Sequence, residues 1–440
     1  MNITHRLPPG PRLRLLQPMA YVRSPYRFFS SMRARYGDPF TMHTVGLTVV
    51  TGNPDGIRQI FSAPFGTYHV DLPRSLRRVL GQHSLNGLDG EARRRTRKLL
   101  APGFHGDSLR NLAGVIHATA VEALSGWTDG EVRDARQAMH AIGLDVILKT
   151  MFGVEQAARL GEFRQAVLGL TQSLGSMAYL LSTVLRIDRD DWPPNRRLDA
   201  ARERLAALLR ENIAVRRADG APRVDILSRL MEARAEDGAG FSDDALVDNL
   251  ITNLVAGHEP SVLTLTWAFA WLGRHPQAAA RLQEEIDGLG SDDDFAAIQA
   301  LPYLDAVVKE CLRLYPAVPE VMRMLSVPFE LCGYALPAGI NVAACAALLH
   351  MDPALYPDPE RFYPERFLER TFNGFEFIPF GGGERICVGN QYSVFEIKII
   401  LAVLLRRGRF SLLDTRPVRV TRCGFLMGPA DVLVRYREKP

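Results

Sequence analysis

The sequence predicts a mainly α-helical protein with small β-sheets. Apolar residues recur at helical spacing from residue 91 to about residue 274, with breaks near residues 103, 188–194 and 219–222. Runs that favour strands lie outside that region, near the N-terminus and in the C-terminal third. These patterns, together with one very long helix, indicate a partly β-rich segment over residues 1–90 and a helical core over residues 91–440.

The β-rich segment combines one helix with short strands. A helix is predicted for Pro25–Tyr36, and the runs at residues 40–45 and 48–50 favour strands. In the C-terminal third, residues 329–336 favour a strand that ends before the turn at Pro337, Ala338 and Gly339. Strands and turns therefore alternate with helices in that part of the chain.

The longest predicted helix begins after Ser242 and ends before Pro276. Ser242 is placed to cap its N-terminus, and Asp243 and Asp244 suit its first turn. About thirty residues at ~1.5 Å each would span roughly 50 Å. The stretch 251–273 is apolar enough to resemble a membrane span, but the polar residues at 258 and 259 argue against one. We expect a buried helix with a functional midpoint.

Composition favours a single globular domain over residues 1–440. No linker, charge block or repeat divides the 440 residues, and a chain with 47% hydrophobic residues can bury a large core and still enclose a prosthetic group. Five cysteines without paired spacing indicate a reducing compartment. The N-terminus lacks an apolar run of anchor or signal length. We expect a soluble, cytoplasmic monomer without a membrane anchor.

The charge pattern argues against a nucleic-acid partner. The net charge is only +4, and the basic cluster at residues 93–98 has no interleaved aromatic residues. A solvated helix face explains most of this cluster. Two functional alternatives are the docking of an acidic electron carrier and pairing with the carboxylates of a cofactor.

The segment Phe-Gly-Gly-Gly-Glu-Arg-Ile-Cys-Val-Gly at residues 380–389 precedes an apolar helix predicted for residues 394–405. A thiolate at Cys387 would gain from the amide groups and dipole of that helix start. The glycines let the backbone approach a flat group, and Arg385 can reach an anion on its edge. Haem held by a cysteinate fits this pattern. Glycine-rich turns with an arginine also bind phosphates, and buried cysteines are usually inert.

Two further motifs come earlier in the chain. Glu310 and Arg313 lie on one helix face just before Pro316, and Pro364-Glu365-Arg366-Phe367 follows. This ordered set, with the cysteine loop, resembles the cytochrome P-450 superfamily over essentially the full chain. The resemblance implies the cytochrome P-450 fold, with haem b between the long central helix and the cysteine loop and its helix. It also implies a buried structural ion triad formed by Glu310, Arg313 and Arg366.

The resemblance also implies the residues that contact haem. Cys387 is the axial iron ligand, the amide of Gly389 bonds to its sulfur, Phe380 packs beside it, and Gly381 belongs to the glycine turn. The haem carboxylates are assigned to four arginines, namely Arg385, Arg323, Arg97 and Arg93. The family usually has His or Trp at the Arg93 position, so a solvated Arg93 is the alternative.

On the long helix, residues 256–261 align with the family motif AGx(D/E)TT. Ala256 and Gly257 would leave room for dioxygen, and Glu259 stands at the position that feeds protons. Pro260 replaces the usual threonine, so its alcohol is missing and a bend at Ala256 is expected. The proton relay must then use Ser261, a water or a substrate hydroxyl. His258 is expected to make a structural hydrogen bond and not to bind iron.

The implied activity is that of a monooxygenase with a hydrophobic small-molecule substrate in natural-product biosynthesis. Electrons would come from NAD(P)H through a separate ferredoxin or flavodoxin and its reductase. The alternatives are a peroxygenase or rearranging enzyme, suggested by Pro260, and a haem sensor without turnover. Peroxide-using relatives carry arginine where Glu259 stands, and rearranging relatives have a longer cysteine loop. The substrate is expected to meet mainly apolar residues of five regions, namely residues 65–88, 166–186, the long helix, 318–322 and 424–427.

Overall fold

The computed structural model describes residues 6–11, 17–44, 46–176, 178–179, 189–423 and 426–439. The α-helices of these residues are Gln17–Arg23, Pro25–Tyr36, Pro54–Phe61, Arg74–Leu80, Gly90–Leu100, Asp107–Ser125, Ala135–Phe152, Ala157–Gly175, Pro193–Asp219, Ile226–Glu232, Asp243–Leu272, Pro276–Asp287, Phe295–Ala300, Pro302–Leu314, Ala346–Leu349, Arg366–Glu369 and Asn390–Arg407. The strands are β1 Phe40–Thr44, β2 Gly46–Thr51, β3 Tyr68–His69, β4 Val132–Asp134, β5 Val321–Leu325, β6 Phe329–Leu331, β7 Tyr334–Leu336, β8 Asn341–Ala344, β9 Gly408–Leu412, β10 Val420–Cys423, β11 Leu426–Pro429 and β12 Leu433–Glu438. The predicted class, mainly α with small sheets, is confirmed.

The chain groups into two compact units. The first, called here the sheet unit, comprises Met1–Asp71, Lys309–Cys387 and Val420–Arg422. The second, called the helical unit, comprises Leu72–Val308, Val388–Arg419 and Cys423–Pro440. The single domain expected from the sequence stays a prediction.

The sheet unit is built on a five-stranded sheet with the order β1-β2-β8-β5-β3. Strands β2 and β8 run parallel, with Val49 opposite Val342, and the other neighbours are antiparallel. Because successive side chains point to opposite faces, Val49 and Val342 join one apolar core while Val50 and Ala343 join another. The central strands are therefore buried on both faces.

The helical unit is centred on the helix Asp243–Leu272, called here the central helix. Its N-terminus is capped as predicted, since the Ser242 hydroxyl accepts a hydrogen bond from the amide of Ala245. It packs against the helices Ala135–Phe152 and Asn390–Arg407. Within the described residues, no helix combines the length and the apolar character needed to cross a bilayer. Most residues of the central helix are buried, as expected from the sequence.

Three local predictions were wrong. The segment 1–90, expected to combine one helix with short strands, also contains the helices Gln17–Arg23, Pro54–Phe61 and Arg74–Leu80. The region expected to be helical throughout contains strand β4, which pairs with β12 so that Arg133 lies opposite Val434. A partner about 300 positions away leaves no local periodicity, so the sequence pattern did not indicate this strand. The single strand expected at residues 329–336 is a hairpin of β6 and β7, with Cys332 and Gly333 in its turn at φ values of 49° and 80°.

The predicted ion triad is confirmed in the sheet unit. The Glu310 carboxylate accepts from Arg313 at 2.7 and 2.8 Å and from Arg366 Nε at 3.2 Å. The amide of Tyr363 donates to the same carboxylate at 2.9 Å. Glu310 and Arg313 have no exposed surface, and Arg366 is 5% exposed. Hydrogen bonds of this quality are what make a buried ion pair tolerable.

We predict that Glu310→Ala lowers the free energy of unfolding by about 3–5 kcal/mol, because two buried guanidinium groups lose their counter-charge. Denaturant unfolding of the variant, with haem content measured in parallel, checks this. The matched control is Arg419→Ala, since Arg419 makes an exposed ion pair with Asp431 and its loss should leave stability essentially unchanged. Equal stability of the two variants would contradict a structural role for the triad.

Candidate active site

The cysteine loop is anchored to the triad through the buried residue His350. Arg313 Nη1 donates to the His350 carbonyl at 2.7 Å, and His350 Nδ1 lies 3.2 Å from the Arg313 carbonyl. The amide of Ile378 donates to His350 Nε2 at 3.0 Å. Nε2 is therefore the acceptor and Nδ1 carries the hydrogen. Burial, and then the charge of Arg313, lower the pKa of His350 to about 3, so the ring is neutral.

Backbone conformation and close contacts within the protein explain why glycine occupies these positions of the loop. Gly381 and Gly383 adopt φ values of 69° and 65°, which favour glycine. A Cβ at Gly382 would lie 2.3 Å from Phe61 Cδ2, and one at Gly383 would lie 2.5 Å from the Phe61 carbonyl oxygen. For these two residues, the flat group that the backbone approaches is the Phe61 side chain and its peptide. A cofactor contact of Gly381, whose Cβ would lie 3.3 Å from Val321, stays a prediction.

The loop presents Cys387 at its end. The amide of Cys387 donates to the carbonyl of Phe380 at 3.0 Å, which closes the loop, and the Phe380 side chain is half-buried. Cys387 is exposed, whereas Cys311, Cys345 and Cys423 are buried and Cys332 is half-buried. An exposed thiol held by a closed loop can bind a metal from outside the chain.

In the helical unit, Gly389 precedes the helix Asn390–Arg407, as expected for a residue whose amide points out from a helix start. Its φ is −94°, and a Cβ there would lie 3.8 Å from Phe104, which is ordinary contact. Neither conformation nor packing among the described residues therefore requires a glycine here. A close approach of another group to this backbone would explain why position 389 is a glycine.

Two arginines of the sheet unit suit an anionic group. Arg323 Nη2 is buried and has no hydrogen-bond partner among the described residues. Burial, and then the positive charge of Arg385, lower the pKa of Arg323 to about 10. An anion between these residues would satisfy the orphaned nitrogen and offset the repulsion. The two residues therefore fit the carboxylates of haem.

The other two arginines lie on the helix Gly90–Leu100. Arg93 is 8% exposed and its Nη1 donates to the Leu85 carbonyl at 2.6 Å, so the alternative of a solvated Arg93 is wrong. Arg97 is half-buried. Their neighbours Arg95 and Lys98 form surface ion pairs with Asp237 and Glu236, as expected for a solvated helix face.

The midpoint of the central helix carries small residues. Ala256 is exposed although the helix around it is mostly buried. A Cβ at Gly257 would lie 3.7 Å from Ile147, so packing among the described residues does not require glycine there. Pro260 has no N–H, and the carbonyl of Ala256 therefore lacks its usual helical bond. The helix runs through Pro260 from Asp243 to Leu272, and the bend at Ala256 stays a prediction.

A buried acid that was not predicted from the sequence lies beside Ser261. The Ser261 hydroxyl is 3.1 Å from the hydroxyl of Ser393 and 3.4 Å from the Gly257 carbonyl, and it is near enough to the Glu396 carboxyl to act on its pKa. Burial raises the pKa of Glu396 to about 8. Its signal in the sequence was a carboxylate within the apolar stretch 394–405, whose one other charged residue, Lys398, pairs with Asp305 at 3.0 Å.

Glu259 lies beside two histidines. Its carboxylate is half-buried, 3.8 Å from His140 Nε2 and 3.9 Å from His258 Nδ1. His258 Nε2 is 3.3 Å from the His140 carbonyl, which is the structural hydrogen bond expected for His258. The sequence did not indicate a role for His140, because nothing in its local pattern marks it.

The residues expected to meet the substrate are only partly described. Leu170 is buried and Leu168 is 38% exposed. The other expected residues of that region, Met177, Leu180 and Leu181, lie outside the described residues, as do Gly424 and Phe425. Substrate contact stays a prediction for the whole set.

Comparison with known proteins identifies the family. The Cytochrome P450 family model matches residues 7–435. The chain belongs to the cytochrome P450 family. Cytochrome P450 135B1 of Mycobacterium tuberculosis is 36% identical over 93% of this chain and 86% of its own length. The cyclooctat-9-en-7-ol 5-monooxygenase of Streptomyces melanosporofaciens is 32% identical over 91% of this chain and 88% of its own length.

Solved structures agree with this membership. The retinoic acid-bound cyanobacterial CYP120A1 is 25% identical and superposes with a TM-score of 0.87, over 99% of this chain and 100% of that one. The haem domain of cytochrome P450DA, 22% identical, has the same TM-score over 99% of this chain and 98% of that one, and shares the fold. The protein is therefore a cytochrome P450 monooxygenase, and its family implies haem with a cysteine ligand.

We predict that acid weakens the anchor of the cysteine loop. The pKa of His350 is about 3 in the folded protein and ordinarily 6.5, so the unfolded chain binds a proton between these values. The stability that depends on neutral His350 is complete above pH 6.5 and is lost as the pH falls towards 3. Denaturant unfolding at a series of pH values should show that His350→Gln loses less stability than the wild type as the pH falls from 6.5 towards 3.

His350→Leu is the matched variant without an acceptor. It leaves the Ile378 amide unsatisfied, which we expect to cost about 1–3 kcal/mol at neutral pH, whereas His350→Gln retains an acceptor and should lose less. Identical pH profiles for the wild type and His350→Gln would contradict this account of the anchor.

Proposed function

We propose that this cytochrome P450 binds haem b and inserts one oxygen atom from dioxygen into a hydrophobic small molecule, by hydroxylation or epoxidation. The observation that carries the proposal is the exposed Cys387 thiol at the end of a loop anchored to the buried triad. Haem with a cysteinate ligand supplies the activation of dioxygen. The residues of the chain hold the cofactor and move protons.

Each residue has a proposed role in holding haem. Cys387 would bind the haem iron through its thiolate, and the amide of Gly389 would hydrogen-bond to that sulfur and tune the potential. Phe380 and Gly381 pack against the cofactor beside the ligand. The carboxylates are bound by four arginines, namely Arg323, Arg385, Arg93 and Arg97. The orphaned Nη2 of Arg323 supports this assignment most directly.

Protons are proposed to pass along the central helix. Ala256 and Gly257 leave room for dioxygen, and Glu259 brings protons from the solvent side. Ser261 takes the place of the alcohol that Pro260 lacks. With a pKa of about 8, Glu396 is largely protonated at neutral pH. It can therefore donate a proton to the Ser261 hydroxyl and then be reprotonated.

The proposed substrate is a mainly hydrocarbon natural product that carries a polar oxygen. The Streptomyces relative is named for action on cyclooctat-9-en-7-ol, and CYP120A1 was solved with retinoic acid. Both molecules combine a hydrocarbon body with one oxygen function, and a terpenoid is the class closest to them. We propose NAD(P)H as the electron source, with a ferredoxin or flavodoxin and its reductase as separate partners of a monomeric, cytoplasmic enzyme.

Peroxide-driven turnover is the second candidate, because Pro260 removes the alcohol that usually takes part in proton delivery. The proximity of Ser261 and Glu396 favours the first candidate, since it brings together an alcohol one residue along the central helix and an acid from the helix Asn390–Arg407. Peroxide brings its own protons, so a peroxide-driven enzyme has no need for this pair.

We predict that Cys387→Ala abolishes the strongly red-shifted Soret band that carbon monoxide gives with the reduced, thiolate-ligated protein. The reason is that Cys387 is the only cysteine in the glycine-rich loop before the helix Asn390–Arg407. Cys332→Ala is the matched control and should keep the band. If the band survives in Cys387→Ala, the assignment of Cys387 as the iron ligand is wrong.

We predict that Glu396→Gln slows NAD(P)H-driven turnover on the order of 10²-fold, as expected for the loss of a general acid. Turnover driven by hydrogen peroxide should be spared in the same variant. Rates with a surrogate ferredoxin system and with peroxide are measured for the wild type, Glu396→Gln and the exposed control Glu155→Gln. A wild type that turns over only with peroxide would replace the first candidate with the second.

A further inference from the structure

The side chains of His140, His258 and Glu259 converge within the helical unit. His140 lies on the helix Ala135–Phe152, and the other two lie on the central helix that packs against it. One ligand atom from each residue lies within 4.8 Å of the other two. The two imidazole rings are perpendicular, with centroids 4.5 Å apart. Two imidazoles and a carboxylate are a ligand set that suits zinc.

We propose that His140 Nε2, His258 Nδ1 and Glu259 Oε2 form a binding site for a divalent zinc ion, with water as a fourth ligand. Zinc bonds of about 2.0–2.1 Å in a tetrahedron place neighbouring ligand atoms roughly 3.3 Å apart. The carboxylate oxygen is 3.8 Å from one histidine nitrogen and 3.9 Å from the other. These two distances therefore close by only about half an ångström, and the two histidine nitrogens lie within 4.8 Å of each other before any side-chain rotation.

The surroundings of His258 are those of a metal ligand. Its Nε2 is 3.3 Å from the His140 carbonyl. Because a carbonyl oxygen only accepts, Nε2 carries the hydrogen, and the lone pair of Nδ1 is available to a metal ion. Ligating histidines usually carry such an outer bond to a carbonyl or carboxylate.

Exposure and charge also permit an ion to enter. The side chains of His140 and Glu259 are 27% and 23% exposed, whereas that of His258 is 3% exposed, so two of the three ligands are in contact with solvent. Arg136 is the cation whose charge acts on His140 and opposes binding. The negative charge of Glu259 offsets it, so the site needs the carboxylate as well as the two rings.

A bound zinc ion would occupy the carboxylate that the proposed function uses for protons. This consequence rests on the proposed function, whereas the site itself rests only on the cluster. Zinc would then inhibit NAD(P)H-driven turnover without displacing haem or substrate. The enzyme would be sensitive to the concentration of free zinc.

The test uses haem-loaded protein without a histidine tag, stripped with a chelator and dialysed against zinc chloride. We expect one zinc ion per chain, and X-ray absorption at the zinc edge should show two imidazoles and oxygen ligands. His140→Ala should lose one imidazole signal and bind zinc at least about tenfold more weakly, because removing a direct ligand costs no less than removing an outer one. His105→Ala, which changes a histidine outside the cluster, should bind like the wild type.

Equal zinc affinity of His140→Ala and the wild type, or a sulfur ligand in the absorption spectrum, would overturn the site. The turnover rate with added zinc separates the site from the proposed function. Zinc bound by two imidazoles with unchanged NAD(P)H-driven turnover would uphold the site and count against the proton role of Glu259.

Discussion

The buried carboxylate of Glu310 is the interaction on which the haem-binding part of the sheet unit depends. A charge without exposed surface is tolerated only when its oxygens are fully bonded, and here two guanidinium groups and a backbone amide bond to them. Arg313 also donates to the His350 carbonyl, and His350 accepts from the Ile378 amide. An unbroken run of buried hydrogen bonds therefore joins the ion triad to the start of the cysteine loop.

This run explains why so short a loop can hold a thiol in a fixed place. The His350 bond fixes the start of the loop, Phe61 packs on Gly382 and Gly383 at its middle, and the amide of Cys387 bonds back to Phe380 at its end. Three fixed points over ten residues leave little conformational freedom. The entropy that a metal ligand would otherwise lose on binding has then been lost already in folding.

Local signals were sufficient for the features that lie close together in the chain. The cap at Ser242, the helix Pro25–Tyr36 and the spacing of Glu310 and Arg313 each depend on residues a few positions apart, and all are found. Strand β4, the acceptor role of His350 and the contact of Phe61 with the loop depend on partners far away in the sequence. No periodicity marks such pairs, so they emerge only from the folded chain.

Pro260 shows how a lost group can be replaced by its neighbour. One step along a helix turns the side chain by about 100°. The hydroxyl of Ser261 consequently faces the helix Asn390–Arg407 and meets Ser393 and Glu396 instead of the environment of residue 260. A buried carboxyl with a pKa near 8 carries its proton at neutral pH, whereas an exposed one would not. Under the proposed function, the proton donor of this enzyme therefore comes from a neighbouring helix, and the burial that raises the pKa of Glu396 is what makes it useful there.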